Sequence, residues 1–203
     1  MTVLYLMRHG AIEWPEPDCF IGQTDAPLGE EGRHQIALLR AHVAKIEVDS
    51  VWSSDLSRAR QTAEMLFPER LIQTRPELRE INLGEWEGEP RSRIRAEHPE
   101  LWNARGRNFA EFRPPGGESF NDVLNRAKPC VERLCAEPSG PVLAVTHAGV
   151  IRVLICDLLG IPISNLFRIQ VDYGGLTIID YKDRAGTLIS LNSLSRHRGL
   201  LFR

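Results

Sequence analysis

Val3, Leu4, Tyr5, Leu6, Met7, Arg8, His9, Gly10: an apolar run that stops at a charged and a basic residue, then a glycine, opens the chain and decides how the rest is read. Apolar runs of this length, with no polar alternation, belong to strands covered on both faces in an α/β sheet. Ligand sites in such sheets gather just beyond the carboxyl ends of the strands. Adjacent strand residues point to opposite faces, so Arg8 and His9 serve one site only if the backbone turns. Gly10 allows that turn through its tolerance of positive φ. Taken alone, the pair reads equally as an exposed Arg and His at a strand end.

The pattern recurs. Pro141 to Thr146 is a second apolar run, and it too ends in His147, Ala148, Gly149 before a helical stretch, Val150 to Leu159. A histidine beside the unpaired N–H groups of a helix start suits an anion, with a capping or structural role as the alternative. Between the two runs lies a loop, Ala11 to Leu28, with Pro15, Pro17, Gly22 and Pro27. Helical spacing follows over Gly29 to Glu47, through Ile36, Leu38, Leu39, Val43 and Ile46. Asp49 to Trp52 reads as a strand, and Ser53, Ser54 and Asp55 offer N-cap chemistry to a helix burying Leu56, Ala59, Ala63, Leu66 and Phe67, closed by Pro68. Arg58 falls in its first turn, where side chains lean back toward the helix N-terminus and so toward the carboxyl edge of the sheet.

Arg70 to Thr74 is strand-like, and Pro76 to Gly88 forms an ordered loop. Arg91 to Trp102 is charged and helical, whereas Asn103 to Gly117, rich in Arg, Pro and Gly, reads as a mobile flap. Ser119 to Ala136 is a long amphipathic helix with an irregularity expected at Pro129. Leu166 to Val171, Leu176 to Tyr181 and Thr187 to Leu191 read as strands joined at Gly174, Gly175 and Gly186, and Ser195 to Arg203 as a peripheral tail. Strands alternating with helices predict a mostly parallel sheet with helices on both faces.

The 203 residues fit one ordinary domain, and 42% hydrophobic content is enough for a sizeable core. A net charge of -2 gives no electrostatic case for a nucleic-acid or anionic membrane surface. The four cysteines, 19, 130, 135 and 156, form no C-x-x-C pair and suit reduced, packed thiols in a cytoplasmic setting. Arg8 interrupts the opening apolar run too early for a signal peptide or a membrane span. The sequence sets no oligomeric state.

Arg8, His9, Arg58 and His147 are the set that a phosphoryl group calls for. Arginines present fixed forks to phosphate oxygens, and phosphoryl transfer is catalysed mainly by positioning and charge stabilisation. No H-E-x-x-H, G-x-x-x-x-G-K or G-x-G-x-x-G is present, so zinc, P-loop and dinucleotide chemistry are disfavoured and the cations must be side chains.

In order along the chain, Arg8 to Gly10 after a strand, Ser53 to Ala63, the Glu80 to Gly88 loop and Thr146 to Gly149 resemble the histidine phosphatase superfamily, the phosphoglycerate mutase-like group. The resemblance implies one domain over residues 1–203, folded as a three-layer α/β/α sandwich around a mostly parallel sheet. It also implies a phosphohistidine intermediate with no cofactor and no metal. On that basis His9 is the nucleophile, Arg8, Arg58 and His147 line the phosphate pocket, and Glu80 is the proton donor, with Glu85 and Glu87 as competitors for that role. Backbone N–H groups around Gly22 are expected to hold phosphate oxygens, as the family's loop does.

Two departures stand out. Many relatives carry Glu directly after the Arg-His-Gly triplet and Asn a few residues on, where this chain has Ala11 and Pro15. The chain also lacks the long central insertion of the true mutases. The stretch Phe20 to Leu28 is similar to the corresponding loop of α-ribazole phosphatases of cobalamin assembly. The expected activity is a metal-independent phosphomonoesterase acting on a small phosphorylated metabolite, with α-ribazole 5′-phosphate one candidate. A cofactor-dependent phosphoglycerate mutase is the competing enzyme, and a non-catalytic phospholigand-binding module is the competing class.

Overall fold

A computed structural model describes residues 2–14, 16, 18–136, 140–182 and 185–194. The opening run forms β1 (Thr2–Arg8), followed by α1 (Glu30–Val43), β2 (Ser50–Ser53), α2 (Ser57–Leu66) and β3 (Ile72–Thr74). Two 3-10 turns, Pro76–Leu78 and Gly84–Trp86, lead to α3 (Arg91–Glu97) and α4 (Pro99–Arg107). The chain then runs through α5 (Phe120–Ala136), β4 (Val142–Thr146), α6 (Ala148–Leu159), a 3-10 segment Ile163–Arg168, β5 (Leu176–Lys182) and β6 (Ala185–Ser193).

The six-stranded sheet has the order β3-β2-β4-β1-β5-β6. β3, β2, β4 and β1 are mutually parallel; β5 and β6 add on antiparallel. The sheet is thus mixed with a parallel centre, as the alternating pattern requires. Period-two alternation sorts the side chains of the central strands between two cores. Leu4, Leu6, Trp52, Val142 and Ala144 face α5 and α6. Met7, Val51, Leu143 and Val145 face α1 and α2, against Ile36, Val43, Ala59, Ala63 and Leu66. β4 is buried at all five positions because it is covered on both faces. Each fully buried Leu, Ile or Val contributes about 1.5–3 kcal/mol of hydrophobic stabilisation.

Several local expectations are corrected. Gly10 does not adopt positive φ; a Cβ there would lie 2.8 Å from Ile36 Cγ1 and 3.0 Å from the Gly32 carbonyl, so glycine is needed for the close approach of α1. Ser53, Ser54 and Asp55 do not cap α2 with their side chains. Asp25, from the long loop, accepts the Ser57 N–H at 2.6 Å and the Ser57 hydroxyl at 2.7 Å. Leu38 is 47% exposed.

Helix continues to Arg107, broken only at His98 before Pro99, so the first part of the expected flap is α4. Phe109 and Phe112, beyond it, pack on the main core. α5 runs through Pro129, which is exposed, as is Asn125, the residue whose carbonyl loses its helical donor to the proline. Leu166 to Val171 is not a strand but a 3-10 turn and an irregular crossing, because β1 already has β4 and β5 on its two sides. The Ser195 to Arg203 tail lies outside the described residues. All four cysteines lie among the described residues, and none is in a disulfide. Among the described residues no helix is long and apolar enough to cross a membrane.

Candidate active site

Register brings the two polar triplets together. Arg8 sits opposite Thr146 across the β1/β4 pair, and the His9 N–H donates to the Thr146 carbonyl at 3.0 Å. His9 and His147 therefore leave adjacent parallel strands at the same edge, with ring centroids 5.0 Å apart. Beside them, β2 ends at Ser53, and Ser54 follows directly. The carboxyl edge of the sheet is thereby lined by the residues that the sequence singled out.

His9 is 4% exposed, and its Nδ1 lies 2.7 Å from the Gly10 carbonyl. A carbonyl only accepts, so Nδ1 carries the proton and a neutral ring keeps its lone pair on Nε2. The ring is held neutral: burial, then the Arg58 and Arg8 charges, push its pKa well below the ordinary histidine value. His147 is fully buried at the start of α6 and is pushed down in the same way, by burial and then Arg58. Its Nε2 is 2.9 Å from the Ser54 hydroxyl. Among the described residues its Nδ1 is buried without a hydrogen-bond partner, as is Arg8 Nε. Orphaned buried polar atoms such as these cost about 1–3 kcal/mol each until something pairs with them.

Two guanidinium groups complete the cluster. Arg8 donates to the Val171 carbonyl at 2.7 Å and lies 3.6 Å from the centroid of the Tyr173 ring. Arg58 is 1% exposed and donates to the carbonyls of Thr24 at 2.8 Å and Gly22 at 2.5 Å. Burial lowers the pKa of both arginines, against the pull of nearby anionic groups that include Glu80. Two of the five donors of Arg58 are used by these carbonyls, which leaves the rest for a ligand.

The Gly22 amide is not free for phosphate, contrary to the expectation. Glu87 accepts the N–H groups of Gly22 at 3.1 Å, Gln23 at 2.7 Å and Thr24 at 3.1 Å, with the Thr24 hydroxyl at 2.6 Å and the Leu83 N–H at 3.0 Å. Gly22 is glycine because a Cβ would fall 2.2 Å from the Ile81 carbonyl. Its contribution is its own carbonyl, which orients Arg58. Glu87 is accordingly committed to the loop, and Glu85 is exposed beside Trp86 and Arg93.

Glu80 stands at the mouth of the cluster. One oxygen accepts the Ile81 N–H at 3.0 Å and the other the Gly149 N–H at 3.1 Å, at the free end of α6. Arg79 does not pair with it, being engaged by both oxygens of Asp55 at 2.7 and 2.5 Å. Arg126 holds the segment from behind, donating to the carbonyls of Glu77, Arg79 and Glu80 at 2.7–2.9 Å and to Glu118. Among the described residues no group of three or more His, Cys, Asp or Glu is arranged to hold a metal ion.

A family model described as the histidine phosphatase superfamily (branch 1) matches residues 4–194. The chain belongs to that superfamily. This histidine phosphatase is 32% identical to the adenosylcobalamin/α-ribazole phosphatase of Salmonella typhimurium, over 94% of this chain and 96% of the relative. It is 35% identical to the glucosyl-3-phosphoglycerate phosphatase of Mycobacterium tuberculosis, over 80% of this chain and 77% of that one. A solved mycobacterial glucosyl-3-phosphoglycerate phosphatase, in complex with VO3, superposes with a TM-score of 0.85 at 31% identity, covering 95% of this chain and 100% of that one. Family and relatives together make this chain a phosphatase enzyme with an α/β fold.

In this histidine phosphatase several contributors escaped the sequence reading. Ser54 contacts the His147 ring, Thr62 takes the Gly10 N–H at 3.1 Å and returns its hydroxyl to the Arg58 carbonyl at 2.7 Å, and Tyr173 stacks beneath Arg8. Ser54 and Thr62 lie within the Ser53 to Ala63 motif, so a signal existed. Tyr173 and Arg126 carry no local signal: the Arg8 partner of Tyr173 comes from the opposite end of the chain, and the three carbonyls that Arg126 holds lie 46–49 residues before it.

Proposed function

We propose that the chain is a metal-independent phosphomonoesterase, acting in the cytoplasm on a small phosphorylated metabolite through a phosphohistidine at His9. The observation that carries this reading is the 2.7 Å contact of His9 Nδ1 with the Gly10 carbonyl in a site that keeps the ring neutral. In the first step Nε2 attacks phosphorus and the P–O ester bond breaks; the leaving oxygen takes a proton from Glu80. In the second step water attacks phosphorus, its proton passes to Glu80, and the P–N bond breaks to return neutral His9 and inorganic phosphate. The covalent intermediate divides one difficult displacement into two easier ones.

Arg8, Arg58 and His147 stabilise the charge on the three non-bridging oxygens. The unpartnered Arg8 Nε supports that role, since a phosphate oxygen is what such a donor lacks, and His147 Nδ1 joins it in the tautomer whose Nε2 accepts the Ser54 hydroxyl. The likeness of the Phe20 to Leu28 loop makes α-ribazole 5′-phosphate one candidate substrate. Arginines near the site leave phosphoglycerate mutase as the second reading, since a mutase must grip an acidic substrate while it reorients.

The test is a panel of phosphorylated metabolites incubated with purified protein. It includes α-ribazole 5′-phosphate, and 3-phosphoglycerate with 2,3-bisphosphoglycerate, and it follows inorganic phosphate and 2-phosphoglycerate separately. Phosphate release from monoesters with negligible isomerisation is expected. Rapid 2-phosphoglycerate formation with little phosphate release overturns the choice in favour of the mutase.

A further inference from the structure

Next to the phosphate cluster opens a pocket floored by Glu80 and Gly149 and walled by phenylalanines, with Arg105 and Arg152 among its lining residues. Phe167 stands edge-on to Phe109 at 4.7 Å and to Phe120 at 5.6 Å between centroids. Phe120 reaches the floor, where its Cε1 lies 3.3 Å from the position of a Cβ on Gly149. A group attached to phosphorus and leaving toward Glu80 therefore meets aromatic surface first. That surface suits a planar or apolar body.

Arg105 is the anomaly in this wall. Its guanidinium carbon is 4.8 Å from the Phe109 ring centroid, 5.3 Å from Phe20, and 5.7 Å from both Trp102 and Phe167. Among the described residues it makes no hydrogen bond and no ion pair to a protein acceptor. The neighbouring arginines differ in this: Arg91 pairs with Asp18 at 2.9 Å, Arg113 grips both oxygens of Asp122, and Arg152 donates to the Ile169 carbonyl at 2.8 Å. Burial, with repulsion from Arg91, lowers the Arg105 pKa to about 10, so it stays charged at neutral pH. Ring faces offset part of the cost of a half-buried cation, but they leave its hydrogen-bonding fork empty.

We infer that Arg105 is a specificity residue that receives a second anionic group carried on the leaving portion of the substrate, whose apolar body lies against the phenylalanines. The inference rests on the proposed phosphatase reading for the place of the phosphoryl group. The substrate class is then a phosphomonoester of an amphiphilic, acidic alcohol or phenol. Arg152 lies in the same wall and keeps the field positive on the side of Glu80. An anionic leaving portion is thereby drawn in, and a purely apolar one gains only the aromatic contacts.

The test uses non-hydrolysable benzylphosphonates bearing either a carboxylate or a carboxamide at the 3 or 4 position of the ring, with affinities measured by calorimetry. Hydrolysis of p-nitrophenyl phosphate by the same preparation reports separately on the phosphatase reading, so the two can fail independently. Wild type is expected to bind the better carboxylate about ten- to a hundredfold tighter than its carboxamide, the range that a charge-assisted hydrogen bond supplies. Arg105→Met should bring that preference to within about twofold, with much the larger loss falling on the carboxylate, and Arg105→Lys should restore part of it. A wild type with no preference, a preference that survives in Arg105→Met, or an equal loss for both compounds overturns the inference.

Discussion

Gly149→Ala should cut catalysis sharply while leaving the fold intact, because the methyl group collides with the carboxylate assigned to proton transfer and only grazes Phe120. Gly149 is the second residue of α6, and its N–H donates to Glu80 at 3.1 Å. A Cβ there would lie 2.1 Å from Glu80 Oε1, and ordinary contact begins near 3.4 Å, so the carboxylate must retreat by about 1.3 Å. Phe120, at 3.3 Å, needs to give by only about a tenth of an ångström. Misplacing a reacting group by about 1 Å costs on the order of 10²-fold in rate, or about 2.7 kcal/mol. Stability should move by less, since the roughly 1 kcal/mol lost with the hydrogen bond is offset by a similar helix-propensity gain for Ala over Gly. The assay is kcat on an alkyl phosphate for the wild type, each single variant and the pair Gly149→Ala with Glu80→Ala. A loss of about a hundredfold in the wild-type background and of less than about threefold in the Glu80→Ala background is expected. Unchanged kcat in Gly149→Ala, or the same loss in both backgrounds, refutes the steric argument.

Glu80→Gln should slow alkyl phosphates by about 10²–10⁴-fold, the usual worth of a positioned acid–base, and p-nitrophenyl phosphate far less; equal losses would make Glu80 a merely shaping residue. Turnover should survive a chelator and be inhibited by vanadate, and recovery of a chelator-abolished activity by a divalent ion would show that the cation assignment is wrong. Stability should fall on acidification, because His9 and His147 have folded pKa values well below their unfolded value of about 6.5. Between those limits the unfolded state binds more protons, so their contribution is complete above about pH 6.5 and is lost as pH falls below it. The loss is read as the fall in stability between pH 7.5 and 5.5, a window that starts above the unfolded value and ends below it. Urea denaturation at the two pH values should show that difference shrinking in the double variant His9→Asn with His147→Asn; an undiminished difference would place the titration elsewhere.

The parallel part of the sheet was legible because apolar runs and the polar residues that stop them mark strand ends, and Arg8, His9, Arg58 and His147 all lie at one end of one sheet. Leu166 to Val171 misled because side-chain alternation reports strand preference, whereas a strand also needs an unpaired neighbour. There Asn192 supplies bonds in place of a ladder, accepting the Asp172 N–H and donating to the Gln170 carbonyl at 2.9 Å each. The cap of α2 was misassigned to adjacent residues because Asp25 reaches it from 32 positions away. Gly22 was read as a phosphate-binding amide, but the claim of Glu87 on that N–H depends on how two distant loops meet. Arg105 was visible as one basic residue among several; only the tertiary structure distinguishes it from Arg113, which Asp122 neutralises.

The central claim, a phosphoryl group carried on His9, is tested most directly by rapid acid-free quenching of the enzyme with ³²P-labelled monoester, followed by peptide mapping. An acid-labile, base-stable adduct is expected on the peptide that contains His9, formed faster than steady-state turnover and absent from His9→Ala, which should have lost nearly all activity. Label on another residue, or a His9→Ala protein that still turns over, would contradict it.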